Sequence, residues 1–268
     1  MALATPLDIT TPSLWLDHSD ATTLYDAASG GSLVAADGNV SRIQDKSGNA
    51  NHAVISGGAA QRKVSIQNGL DILRFDGGDY YRGTANATTG NTKTVIALAK
   101  SANATGGSIW CSRNTGRCFL ARTLRSGSSF ISGDVTATNV TTTLDITTPM
   151  QSFFLQVWRS PSNLAIEYRA NGAAQSTSGT ILSDTGTAGY CFGTLSSNFQ
   201  NWTGDIAELI VVDSYVTTAV AESLEGYIAW KWGVQSLLPS DHPYKNAAPT
   251  TGTSPRRRMA QASIRSTF

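Results

Sequence analysis

Five side chains in the first third of the sequence carry hard oxygen atoms on short stretches between apolar runs: Asp45, Asn49, Asn51, Asp76 and Asp79. Oxygen donors gathered at a loop rim are what a calcium ion takes, and Asp45, Asn49, Asp76 and Asp79 are the candidate ligands. The same residue types form turns by bonding their own backbone, so an architectural role stands beside the metal. A second group is aromatic. Tyr80, Tyr81, Trp110 and Trp202 fall at strand ends or in loops. There a ring can lie under a sugar while nearby amides and carboxylates take its hydroxyls, although any one of these rings could equally be packing. Trp15, Trp158 and Trp230 lie within apolar runs and belong in the core. His18, His52 and His242 are scattered, without the spacing of a zinc site.

Acid–base chemistry has little to draw on. The chain holds four glutamates: Glu167 and Glu208 in strand-like runs, Glu222 and Glu225 on a helical stretch where both are expected to be solvated. There is no Gly-x-Ser-x-Gly elbow, no phosphate-binding loop and no Gly-x-Gly-x-x-Gly stretch. Three cysteines in a chain of 268 residues argue against a disulfide framework. Cys111 and Cys118 flank the turn at Asn114-Thr115-Gly116, placed to face each other across a hairpin as a bridge or as two thiols. The formal charge is +1, but Arg256, Arg257, Arg258 and Arg265 crowd a tail without acids, leaving 16 basic and 19 acidic groups in residues 1–248. Such a body has no field for nucleic acid. No basic-then-apolar leader follows Met1, and no apolar run nears the roughly 18 residues of a membrane span. Synthesis in a cytoplasm, with no membrane partner, is the expectation.

The elements that must position these groups are mostly short strands. Residues 1–12 read as an arm, with Pro6 and Pro12 against regular structure. Strands are expected at Ser13–Asp17, in a pair from Leu33 to Gln44 turning at Asp37-Gly38-Asn39, and at Ala53–Ile55 and Asp71–Phe75. Thr94–Ala99 is apolar throughout, as a strand covered on both faces would be. A hairpin spans Ser108–Leu124, and strands at Ser128–Ser132, Val135–Thr141, Phe153–Trp158, Leu164–Tyr168 and Gly189–Gly193 follow. The stretch Asn201–Asp213 holds a further buried strand, with Gly204 and Asp213 marking its ends, and residues 217–232 form the one convincing helix, capped by Thr217 or Thr218 and closed at Gly233. The hexapeptide Leu-Asp-Ile-Thr-Thr-Pro occurs at residues 7–12 and again at 144–149, without aligned flanks. A dozen short strands in one chain of this length predict a single all-β sandwich.

Four stretches in order carry a resemblance: Asp45-Lys-Ser-Gly-Asn-Ala-Asn-His52, Leu73-Arg-Phe-Asp-Gly-Gly-Asp-Tyr80, Ile166-Glu-Tyr-Arg-Ala-Asn-Gly172, and the Gly204-Asp-Ile-Ala-Glu-Leu209 strand with its helix. Together the chain resembles a laminin-G-like domain, of the concanavalin-A-like jelly-roll superfamily. The resemblance implies a β-sandwich over residues 13–246, with an N-terminal arm (1–12) and a basic C-terminal arm (247–268). It also implies one calcium at a loop rim. The superfamily includes glucanases, but their Glu-x-Asp-x-Glu strand is absent here, which leaves Glu167 and Glu208 as the carboxylates for a hydrolase. The ending Trp-Lys-Trp-Gly233 and Leu-Pro-Ser-Asp-His-Pro-Tyr244 looks like that of phage and bacterial surface proteins. The expected function is therefore a non-enzymatic virion subunit, a capsid decoration or fibre protein and a homo-oligomer. Its arms, with Arg256, Arg257, Arg258 and Phe268, would touch other virion proteins, and its sandwich would touch host glycans. A free lectin-like adhesion module is the alternative, and a glycoside hydrolase the third.

Overall fold

The computed structural model describes residues 1–83, 92–102, 106–112, 120–126, 129–131, 141–142, 151–162, 165–175, 177–178, 189–194 and 200–252. In chain order its strands are β1 (Leu14–Asp17), β2 (Leu24–Tyr25), β3 (Arg42–Ile43), β4 (Ala53–Ile55), β5 (Gln61–Gln67), β6 (Leu70–Asp76), β7 (Tyr81–Gly83), β8 (Lys93–Ser101) and β9 (Gly106–Ser112). There follow β10 (Leu120–Ser126), β11 (Ser129–Ile131), β12 (Thr141–Thr142), β13 (Phe154–Ser162), β14 (Ala165–Ala170), β15 (Ala173–Gln175), β16 (Thr177–Ser178), β17 (Tyr190–Phe192) and β18 (Thr203–Val212). The helices are α1 (Pro6–Ile9) and α2 (Thr218–Lys231). Neither is long and apolar enough to cross a membrane.

Two antiparallel sheets result. The first runs β15-β14-β13-β8-β18-β6-β5 with β1 added on β18; the second runs β16-β12-β11-β10-β9-β17-β7-β4-β3-β2. The apolar run of β8 alternates between two cores. Val95, Ala97 and Ala99 face the second sheet, where Phe75, Trp110, Trp158, Tyr190 and Trp202 fill the space. Ile96 and Leu98 face the other way, under α2 and the N-terminal segment, with Trp15, Ile210, Tyr227 and Trp232. This first sheet is therefore a middle layer buried on both sides, which is why its strands read as continuous apolar runs. β18 is its axis. Residues Thr203–Ile206 pair with β6, Glu208–Val211 pair with β1, and β8 flanks both halves. The register slips between Ile206 and Glu208, where the partner changes. Such a bulge lets one long strand serve two short ones end to end.

Local signals hold where the chemistry is local. Thr217 accepts the Val220 N–H at the start of α2, and Gly233 takes φ +67° after its end. Asn171 and Gly172, at φ +50° and +84°, turn β14 into β15 as a type I′ pair does. The expected turn at Asp37-Gly38-Asn39 does not join a strand pair. Leu33 bridges to Tyr25 while Asn39 bridges to Gln61, so its two sides are drawn to different neighbours.

Residues 1–12 are not an arm. Pro6 opens α1, and Asp8 Oδ2 accepts from both Thr5 N (3.0 Å) and Thr5 Oγ1 (2.8 Å). Ala4 and Ile9 are buried under the same helix that covers the middle sheet. Leu3 bridges to Thr250, Ala4 N donates to Pro249 O and Thr251 N to Ala2 O, so the sandwich extends to the clasp at residues 249–251. Residues 253–268, with Arg256, Arg257, Arg258 and Phe268, lie outside the described residues, as do Cys118 and the second hexapeptide. Cys111 sits opposite Leu120 in the β9–β10 hairpin and opposite Cys191 across β17.

Candidate functional site

The Asp45–His52 turn is saturated by its own chain. Asp45 Oδ1 accepts from Trp15 N and Ser47 N (both 2.9 Å), and Oδ2 from Asn51 N (2.9 Å) and Ser47 Oγ (2.7 Å). Asn49 Nδ2 donates to Pro12 O, and Asn51 Nδ2 to Ser13 O. These groups tie the loop to β1, the architectural one of the two roles open to them. Asp76 and Asp79 belong to a different turn, where Asp79 Oδ2 accepts from Asp76 N (2.8 Å) and Asp76 Oδ1 from Gly78 N (2.7 Å). The four candidate calcium ligands are thus split between two loops. Among the described residues no three His, Cys, Asp or Glu side chains gather as a metal site would need.

The aromatic candidates divide as well. Tyr81, Trp110 and Trp202 are buried, which removes them as sugar platforms. Tyr81 OH donates to Val40 O and accepts from Ala60 N, joining two loops across the core, and Trp110 stacks on Tyr190 at 6.3 Å. Tyr80 is half-exposed. Its ring lies flush on Gly57, where a Cβ would collide with it, and the Arg82 guanidinium stands 5.8 Å from the ring centre. Of the three tryptophans expected in the core, Trp15 and Trp158 are there; Trp230 is half-buried, its Nε1 donating to Tyr244 O, and Trp232 takes the core position instead.

Beside the Asp76–Tyr80 turn lies an open cavity of about 440 Å³, lined by Asn39, Gly58, Ala59, Gln61, Arg74, Phe75, Asp76 and Asp79. Three features of the chain assemble it. Gln61 and Arg74 are cross-strand partners at the outer edge of the first sheet. Asn39 bridges to Gln61. Gly77, at φ +96°, turns the chain so that Asp79 folds inward and pairs with Gly58. The Arg74 guanidinium is held by Asp205, Nε to Oδ1 at 2.6 Å and Nη2 to Oδ2 at 3.0 Å. Burial pushes the Asp79 carboxyl above its usual range, and the neighbouring Asp76 charge adds to this. Two amides, a guanidinium and two carboxyl groups line the space, while the Phe75 ring turns into the core, where it packs on Tyr81 and Phe192. Asp76 and Asp79 were legible from sequence. Arg74 and Gln61 are legible only as outward positions of alternating strands, and Asn39 only as a turn residue.

The glutamates are elsewhere. Glu208 is sealed between β18 and α2, where it accepts from Trp15 Nε1 (2.7 Å), Tyr227 OH (2.9 Å), Trp232 Nε1 (2.7 Å) and Lys231 Nζ (2.8 Å). Burial raises its carboxyl, against the pull of Lys231. Glu225, expected in solvent, is fully buried in a two-bond pair with Arg169 (2.8 and 2.9 Å), and His242 Nε2 lies 3.1 Å away. The reason is the segment after α2, which folds back over that helix face and covers it. Glu167 is bound by Arg159 (2.7 Å) and Tyr215 OH.

No family model matches the sequence, and no curated protein matches it. Solved structures do. Domain 4 of a GH43 extracellular arabinanase from Geobacillus stearothermophilus, in complex with arabinotriose, is 12% identical with a TM-score of 0.54, over 79% of this chain and 97% of that domain. The receptor-binding domain of botulinum neurotoxin mosaic serotype C/D follows at 13% and 0.52, over 82% of this chain and 51% of that one. A Trypanosoma rangeli sialidase mutant displaying trans-sialidase activity is 11% identical at 0.51, over 83% and 37%. The fold is theirs: an all-β sandwich. The chain spans the whole of the arabinanase domain, but about half of the toxin domain and about a third of the sialidase.

Proposed function

We propose that this chain is a non-enzymatic carbohydrate-binding β-sandwich, carried on a virion as a decoration or fibre subunit. The cavity beside Asp76 and Asp79 is the observation that carries the binding part: it joins amides and charged groups at an accessible sheet edge, and the half-exposed Tyr80 follows Asp79 in the same turn. The likeness to a complete domain solved with arabinotriose supports it. A glycosidase needs two carboxyl groups flanking the scissile bond, about 5–10 Å apart. Glu208 and Glu225 are sealed from solvent. Asp76 and Asp79 line the cavity from a single turn, within which the Asp76 N–H donates to Asp79 Oδ2.

The virion setting rests on the sequence resemblance and the basic tail. Two experiments test the proposal. Glycan-array binding by the full chain should be lost on Tyr80→Ala or Gln61→Ala substitution with the fold intact; binding unaffected by both would move the site elsewhere. Quantitative mass spectrometry of purified particles should find the chain near the copy number of the major shell protein for a decoration subunit, or at a few copies for a fibre. Its absence would leave the free adhesion module.

A further inference from the structure

We infer that this cavity takes uncharged sugars and rejects sialylated and uronic ones, an inference that rests on the glycan-binding reading above. The charges that meet a ligand decide it. Among the described residues Arg74 is the one cation lining the cavity; both oxygens of Asp205 hold its guanidinium, at 2.6 and 3.0 Å, and Lys100 shares that carboxylate at 3.5 Å. Two carboxyl groups, Asp76 and Asp79, line the same space, and Asp76 is exposed. Asp76 Oδ1 accepts the Gly78 N–H, and the exposed carboxylate keeps a second oxygen with room for a ligand. A sugar hydroxyl donating to that oxygen makes a charge-assisted hydrogen bond, stronger than one between neutral groups. A ligand carboxylate in the same place would face the like charge of Asp76, with the nearest guanidinium already engaged by Asp205, an arrangement that selects by repulsion as well as attraction. The amides of Asn39 and Gln61 offer both donors and acceptors and suit a hydroxyl of either orientation.

The test is a glycan array of neutral and acidic oligosaccharides, read with the matched pair lactose and 3′-sialyllactose and with arabinotriose. It is run on the full chain and on its Asp76→Asn and Gln61→Ala forms. Asp76→Asn keeps an oxygen for Gly78 N–H, and an unchanged thermal midpoint would show each variant folded. Neutral probes should bind about tenfold or more tightly than acidic ones, and both substitutions should weaken that binding by about tenfold. Asp76→Asn should also narrow the gap between the neutral and acidic probes. Acidic probes bound as tightly as neutral ones, with the same sensitivity to both substitutions, would overturn the charge rule while leaving glycan binding at this cavity intact. Binding by no probe, or binding indifferent to both substitutions, would remove the underlying reading and this inference with it.

Discussion

Glu208 shows how much can rest on one carboxylate. Two indole N–H groups, a phenol and an ammonium converge on it, each with little or no solvent to turn to. Glu208→Ala leaves the two indoles and the phenol without their acceptor, while Lys231 keeps Asp17, and chemical denaturation should record a loss of about 3–5 kcal/mol. Beside it, burial works to raise the Asp17 carboxyl, but Lys231 at 2.6 Å and Lys46 at 2.9 Å overcome this and hold it below the usual carboxylate range. His18 is a separate case. It is fully buried, Nδ1 lies 2.9 Å from Ile206 O, and burial lowers its pKa from 6.5 to about 4. The unfolded chain therefore binds a proton below 6.5 that the folded chain refuses until about 4. His18's contribution to stability is complete above the higher value and lost as pH falls between the two. Between pH 7 and pH 5 the loss should be about 2 kcal/mol. Urea midpoints at the two pH values check this, and His18→Phe should flatten the difference whatever it does to the midpoint at pH 7.

At the scale of elements, α2 is set by small residues as much as by its apolar face. Gly226 faces Tyr244, and a Cβ there would lie 2.6 Å from the Cβ of that tyrosine. Replacing a mid-helix glycine by alanine is worth about 1 kcal/mol to the helix, whereas overpacking a fixed contact costs about 1–3 kcal/mol. Tyr244 is held at both ends, its carbonyl by Trp230 Nε1 and its hydroxyl by Ser223, so the contact should win. Gly226→Ala is expected to lower the denaturation midpoint; a rise would show that the segment after the helix yields. The cap at Thr217, the stop at Gly233 and the Asn171-Gly172 turn were all legible because each depends on residues a few positions apart. The Asp37-Gly38-Asn39 turn was misleading for the complementary reason. Its flanks carry the signature of a hairpin, but what they pair with lies more distant in the chain, at Tyr25 and Gln61. Prolines at 6 and 12 suggested an arm, yet the first of them opens a helical turn whose buried Ile9 no local rule announces.

In the molecule as a whole, the sandwich followed from many short strands and its doubly covered sheet from continuous apolar runs, while the cavity did not. Its walls come from the segments around Asn39, Gly58, Gln61, Arg74 and Asp79, and only their meeting makes a site. The same logic moves the boundary of the domain. Removing residues 249–268 should lower the thermal midpoint, because it takes away the clasp to Ala2 and Ala4. Removing residues 1–12 should lower it sharply or prevent folding, since Ala4 and Ile9 then leave holes in the layer beneath α2. Comparative calorimetry of the two truncations checks both. The clasp also sets an order in time. β1 finds its partner only in β18, some 190 residues further on, and residues 2–4 wait for 249–251. At a ribosomal pace of about 5–20 residues per second, the first strand of the sandwich spends roughly 10–40 s emerged without its sheet partner. The stretch from Ala2 to Leu16 thus waits for partners made some 190 residues or more later, and whatever shields Leu14-Trp15-Leu16 during that interval bears on the yield of folded protein.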